Sequence, residues 1–350
     1  MIVINELRTL ETLIERHRGA LGSRLRTSVP VVVGPGEGYA VHVIELGSQA
    51  PEAPAVGFFG GIHGNERIGS DVVLAFLHSV LEAMQWDESL QHLLDTTRLV
   101  FMPLINPTGM ARNRRATGAG IDLMRNAPVE SAHAHWLLGG QRITRYLSWY
   151  RGRRGELAPE NRAVLSTVRE KLMNAPLSIA LDCHSGFGIR NYIWFPYAHS
   201  RVPIPHLAEI YALRKLFRRT YPNHVTYRIE PQCRHYMTHG DIWDALYMES
   251  LATPERVFLP LTLEMGSWLW VKKNPRQLFT RLGLFNPLVP HRKRRILRQH
   301  LLWFDFLTRA VHAHRRWVPD SSTRPFLAGE AWAYWGHHYQ GDRDPLRVHG

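Results

Sequence analysis

GGIHGNERIGSD, residues 60–71, follows directly on AVGFF (55–59), an apolar run with the composition of a buried strand. Polar groups carried into a protein interior cost free energy unless they find partners there. His63 and Glu66 stand three residues apart where the apolar strand gives way to a helical pattern, so both side chains can face one point. A neutral imidazole and a carboxylate make two of the three protein ligands of a catalytic zinc site, whose fourth position stays open. The third ligand should be a histidine at the end of another strand. ALDCHSGFG (180–188) supplies His184, after an apolar run and before glycines that let backbone and substrate approach. An isolated H-x-x-E pair is more often a surface pair at a helix start. His184 in the same context as His63 favours the metal.

Outward from that stretch, short β-rich runs alternate with helical ones. VPVVVG, YAVHVIEL, AVGFFGG, RLVFMPLI, LSIALDCH and RVFLPLTLEMG read as strands, several of them apolar on both faces. GSDVVLAFLHSVLEAM, ENRAVLSTVREKLM, HLAEIYALRKLFRRTY and RILRQHLLWFDFLTRAVHAH carry helical spacing, as does the start of the chain, with Leu7, Leu10, Leu13 and Ile14 on one side. The pattern predicts an α/β chain built on a sheet with helices on both faces. Four polar signals close apolar strands: His63 with Glu66, Asn106 to Gly109, Asp182 to His184, and Glu264. In open α/β sheets the ligand site lies at the carboxyl ends of the strands, so these four should converge.

The chain has 350 residues, 45% of them hydrophobic, and a formal net charge of +13, with arginine well in excess of lysine. The composition fits a globular protein, and the charge alone favours solubility with weak affinity for polyanions over a basic site for acidic ligands. The N-terminal segment lacks the apolar core of a signal peptide, and no run approaches the roughly 18 apolar residues of a membrane span. Only Cys183 and Cys233 are present, too few for a disulfide framework. A cytoplasmic protein with no membrane partner is the expectation. Cys183 should point into the sheet, because strand residues alternate faces. His239, His291, His337 and His338 have no ligand spacing and read as solvated. The basic run HRKRRILRQH (291–300) reads as the solvated face of a helix. No nucleic-acid-binding motif accompanies it, and no nucleic-acid partner is expected.

HGNE (63–66), NPTG (106–109), RATGAGIDLMRN (115–126), DCHSG (182–186), YMTHGD (236–241) and LTLEMG (261–266) occur in the order and context of the zinc carboxypeptidase (M14) family. The chain resembles the bacterial branch of that family from about residue 30 to about residue 310. The resemblance implies a mixed, mostly parallel twisted sheet flanked by helices, and one Zn2+ per chain held by His63, Glu66 and His184. It makes Asp122 the carboxylate that orients His63, Glu264 the general base and acid, and Arg115 the oxyanion stabiliser. Arg125 would bind a substrate carboxylate, and Tyr236 would close over it. The substrate would be a small peptide or acyl amino acid with a free carboxylate. One catalytic domain is expected over 1–318, with a helical insertion at 129–176 over one edge of the site, followed by an aromatic-anchored tail at 319–350.

The chain departs from the family pattern in places. Met124 stands where the family has an asparagine that helps to hold the terminal carboxylate, and a thioether cannot donate a hydrogen bond. Ala127 replaces a customary aromatic residue. Trp243 falls near the position that sets side-chain specificity and is expected there as a bulky floor. Two other readings compete with a carboxypeptidase. An N-acyl amino acid deacylase of the succinylglutamate desuccinylase and aspartoacylase type shares H-x-x-E and the third histidine, but typically reads D-L-H-T where this chain reads DCHSG. A non-catalytic protein that binds zinc and a carboxylate would have no need to keep both Glu264 and Arg115.

Overall fold

The computed structural model describes residues 2–339. Its centre is one eight-stranded sheet: β1 (Leu25–Val33), β2 (Tyr39–Gly47), β3 (Ala55–Gly60), β4 (Arg98–Met102), β5 (Leu177–Ser185), β6 (Asn191–Phe195), β7 (Tyr227–Pro231) and β8 (Val257–Met265), in the spatial order β1-β2-β4-β3-β5-β8-β6-β7. The four central strands β4, β3, β5 and β8 are mutually parallel. β1 and β2 join antiparallel on one side, and β6 runs antiparallel to β8 on the other. The fold is therefore mixed with a parallel heart, as expected.

The helices are α1 (Asn5–Leu21), α2 (Arg67–Ala83), α3 (Glu88–Thr96), α4 (Pro107–Ala111), α5 (Pro159–Lys171), α6 (Leu207–Thr220), α7 (Ile242–Ser250), α8 (Trp268–Lys273), α9 (Pro290–His312) and α10 (Arg324–Tyr339). The alternation of β3 explains how they are arranged. Val56 and Phe58 enter a core with Leu10, Val73, Leu77, Phe304 and Leu307 of α1, α2 and α9. Ala55 and Phe59 enter a second core with Val164, Val168, Trp243 and Leu246 of α5 and α7. A strand buried on both faces needs apolar residues at every position, which is why these runs are continuous. Among the described residues, no helix is long and apolar enough to cross a membrane.

One expectation needs correction. Residues 129–158 form turns and loops, and the only helix of the 129–176 insertion is α5, packed against β1 and α7. The tail contains a helix, α10, which lies along α6. Trp335 and Tyr339 are buried there, whereas Trp332 is half exposed, and residues 340–350 of the tail lie outside the described residues.

Candidate metal centre and pocket

The order of the strands fixes where the site falls. From β3 the chain goes out to β4 on one side and later returns to β5 on the other, leaving a crevice beyond the carboxyl end of β3. His63 and Glu66 occupy the turn from β3 into α2. A Cβ on Gly64 would collide with the backbone of Gly109 and Met110, so HGNE and NPTG carry glycines where the two turns touch. Asn106 ties them together. Its Oδ1 accepts from Gly109 N at 2.8 Å, and its Nδ2 donates to Ile62 O and Arg115 O at 3.2 and 3.1 Å.

His184 ends β5, and Glu264 lies directly opposite it in the parallel β5–β8 register. The strand pairing thus places a carboxylate beside the third candidate ligand. His63 Nδ1 and His184 Nδ1 are 3.1 Å apart and lie 2.9 and 3.2 Å from the two oxygens of Glu66. All three side chains are buried and offer donor atoms within 4.8 Å of one another. Tetrahedral zinc at about 2.0–2.2 Å from each ligand sets ligand separations of roughly 3.3–3.5 Å, so this donor set fits the ion.

Each histidine turns its other nitrogen to a buried carboxylate. His63 Nε2 lies 3.3 Å from Asp122 Oδ1, and His184 Nε2 lies 2.7 Å from Asp182 Oδ2. Such contacts fix the tautomer and leave Nδ1 free to ligate. Asp122 also accepts from Arg115 Nε at 2.7 Å. Burial alone would raise its pKa, but the Arg115 charge, aided by His63, holds it well below the ordinary carboxylate value. Burial would likewise raise Glu66, and His63 and His184 reverse the sign. At Glu264 the charges of His184 and Arg115 compensate only in part. Burial, reinforced by the negative charge of Glu66, lifts it to about 8, although Phe187 N donates to it at 3.0 Å.

A cavity of about 660 Å³ opens over these groups, lined also by Arg115, Arg125, Met124 and Tyr236. All eight residues singled out from the sequence come together except Asp122, which stands behind His63. Arg125 is buried, yet its only side-chain hydrogen bond among the described residues is Nη1 to its own neighbour's Met124 O at 3.1 Å, and its Nε has no partner. Gly240 permits this turn. It adopts a positive φ, and a Cβ there would collide with the Arg125 carbonyl. Tyr236 is half exposed and packs against Phe187 and Trp194. The 129–158 segment adds His133, His135, Leu138, Gly139 and Trp149 to the wall. Arg151 pins that segment by donating to Arg125 O at 2.9 Å and to both oxygens of Glu130.

Trp243 is not the pocket floor expected of it. It is buried against Phe59 in the second core, and its Nε1 donates to Asp182 Oδ2 at 2.8 Å. Asp182 itself was visible in the sequence only as one of the strand-end polar groups, without a role. Its place two residues before His184, on the same face of the strand, was the available signal. Asn286 gave no local signal. From 221 residues away it donates to Asn65 O at 2.8 Å and accepts from Ile68 N at 2.9 Å, holding the turn that carries Glu66.

The family model for zinc carboxypeptidase matches residues 35–263. Carboxypeptidase D of Anas platyrhynchos is 29% identical over 170 residues, which are 46% of this chain and 11% of that protein. Carboxypeptidase SOL1 of Arabidopsis thaliana is 22% identical over 240 residues, 67% of this chain and 45% of that one. The chain thus spans less than half the length of these relatives. Among solved structures, thrombin activatable fibrinolysis inhibitor aligns with a TM-score of 0.66 at 19% identity, covering 88% of this chain and 74% of that one. Carboxypeptidase A of Helicoverpa armigera gives 0.63 at 15% identity, covering 87% and 72%. At these identities the structural likeness concerns the fold.

Proposed function

The chain belongs to the zinc carboxypeptidase family, and from that premise we propose that it is a zinc hydrolase cleaving the amide bond next to a free carboxylate. His63, Glu66 and His184 would hold the ion, one per chain, and Asp122 and Asp182 would keep the two imidazoles in their ligating tautomers. The ion supplies Lewis acidity at the open side of the site. The remaining chemistry falls to side chains. Glu264 takes the proton of the attacking water and returns it to the leaving amine, and its burial beside Glu66 suits a base that must also act as an acid. Arg115 faces the developing oxyanion, and its pairing with Asp122 fixes its orientation in advance.

One observation carries the choice of substrate end: Arg125 is a buried guanidinium with no ion pair among the described residues, in the same cavity as Glu66 and Glu264. Asp122 and Asp241 feel its charge but stand beyond ion-pair distance; a buried charge so weakly compensated is costly, and a planar fork suits a carboxylate. Tyr236 would cover the bound end. Met124 offers no hydrogen bond, and His133 or His135 of the insertion would supply the donor that it lacks. In this reading residues 1–318 make up the catalytic domain and 319–350 an appended tail.

Purified zinc-loaded protein assayed on blocked dipeptides and on N-acyl amino acids tests the proposal. Release of a free C-terminal amino acid from the dipeptides, abolished by chelation and restored by zinc, is the expected result. Turnover confined to short N-acyl amino acids would transfer the chain to the deacylase reading.

A further inference from the structure

A second cavity, of about 710 Å³, opens beside the carboxyl end of β8, between the starts of β6 and β7 and the helices α8 and α9. Arg190, Arg228, Lys273, Arg292 and Arg295 line it, and its lining includes no aspartate or glutamate. None of these five has an ion-pair partner among the described residues, although the adjacent Lys293 is paired with Asp71 at 2.8 Å. Five unpaired cations around one concavity repel one another, and α9 adds to this. Its first turn holds no acidic residue and brings the positive end of the helix dipole to the same place.

Two buried donors point to a ligand. Arg292 is partly buried; its Nη2 donates to Lys273 O at 3.3 Å, while its Nη1 is buried with no hydrogen-bond partner among the described residues. His300, 1% exposed, lines the cavity, and its only side-chain hydrogen bond among the described residues joins Nδ1 to the Tyr227 hydroxyl at 2.8 Å. With the hydroxyl donating, Nε2 carries a proton for an acceptor. Arginine forks and a neutral imidazole donor suit phosphoryl oxygens, and several cations suit more than one phosphoryl group. Ile189, Leu269 and Ile296 give the cavity an apolar side for a carbon skeleton. A single-stranded nucleic acid would need exposed stacking rings, and the one aromatic ring of the lining apart from the histidines, Trp270, is buried.

We propose that this cavity binds an organic molecule or lipid headgroup carrying two or more phosphoryl groups, at a site separate from the metal centre. Titration of the zinc-loaded full chain with fructose 1,6-bisphosphate at fixed ionic strength, followed by calorimetry, tests it. One saturable site is expected. Arg292→Ser with Arg295→Ser should weaken binding at least about tenfold, since two charge-assisted contacts are lost. Arg228→Ser, an exposed change on the edge strand, should weaken it severalfold and guards against a folding defect in the double variant. Arg125→Ala, in the other pocket, should leave the affinity unchanged. Sedimentation with phosphatidylinositol bisphosphate vesicles but not with phosphatidylcholine vesicles would assign the headgroup as the source, and soluble binding without sedimentation would assign a free metabolite. Absence of saturable binding below about 1 mM overturns the proposal, given that such a Kd is only some 4 kcal/mol. Binding lost in Arg125→Ala but retained in the double variant overturns it too, as does displacement of the bisphosphate by an oligonucleotide at lower concentration.

Discussion

Glu264 is where burial and chemistry meet most directly. Replacement by glutamine keeps the shape but removes the proton acceptor, so zinc should stay bound while hydrolysis falls by about 10²–10⁴-fold. A variant that keeps near-wild-type turnover would remove Glu264 from the mechanism. The same residue predicts a pH effect in the metal-free protein. Its pKa rises from the ordinary 4.5 to about 8 on folding, so the folded state holds a proton that the unfolded chain releases. That contribution to stability is complete below pH 4.5 and is lost as pH climbs through 8. Thermal melts of the apo protein between pH 5 and 8 should therefore show a decline that Glu264→Gln makes shallower. An unchanged slope would mean that Glu264 is ionised throughout. Asp182 gives a separate test, because it acts through His184. Asp182→Asn should weaken zinc binding about 10–100-fold in a competition titration, and equal affinity would make the contact incidental.

The secondary-structure elements divide sharply in how far the sequence disclosed them. β3, β5 and β8 are long apolar runs buried on both faces, and each ends in a polar group, so both the strands and their functional ends were readable. β6 and β7 were not read as strands. NYIWF and YRIEP are five residues each, and β6 is placed by antiparallel pairing to β8, 68 or more residues away in sequence. Pairing of that kind leaves no local periodicity. Asn286 and Trp243 escaped for the same reason, since their roles depend on groups far along the chain. α10 was obscured by its composition, because its apolar residues are mixed around the helix and only some meet α6. Trp335 is its anchor. It is fully buried, packs on Phe195 and Tyr211, and donates Nε1 to Ile229 O at 2.9 Å. Trp335→Ala should cost about 3–5 kcal/mol, as large core truncations do, with zinc content unchanged. A melting temperature equal to wild type would show α10 to be a loose appendage.

For the molecule as a whole, the reversal of strand order at β3 brings residues from position 63 to position 264 to one crevice, where Arg125 stands without an ion pair among the described residues. What Arg125 does there decides between a carboxypeptidase and a general zinc amidase. The most direct measurement is kcat/KM for a blocked dipeptide with a free C-terminal carboxylate against its C-terminal amide, in wild type and in Arg125→Ala. The wild type should prefer the carboxylate strongly. Arg125→Ala should raise KM steeply for the carboxylate and hardly alter the amide, so that the preference collapses. If the two substrates respond alike to the substitution, Arg125 is a structural charge and the chain is a zinc amidase that takes no account of the carboxyl end.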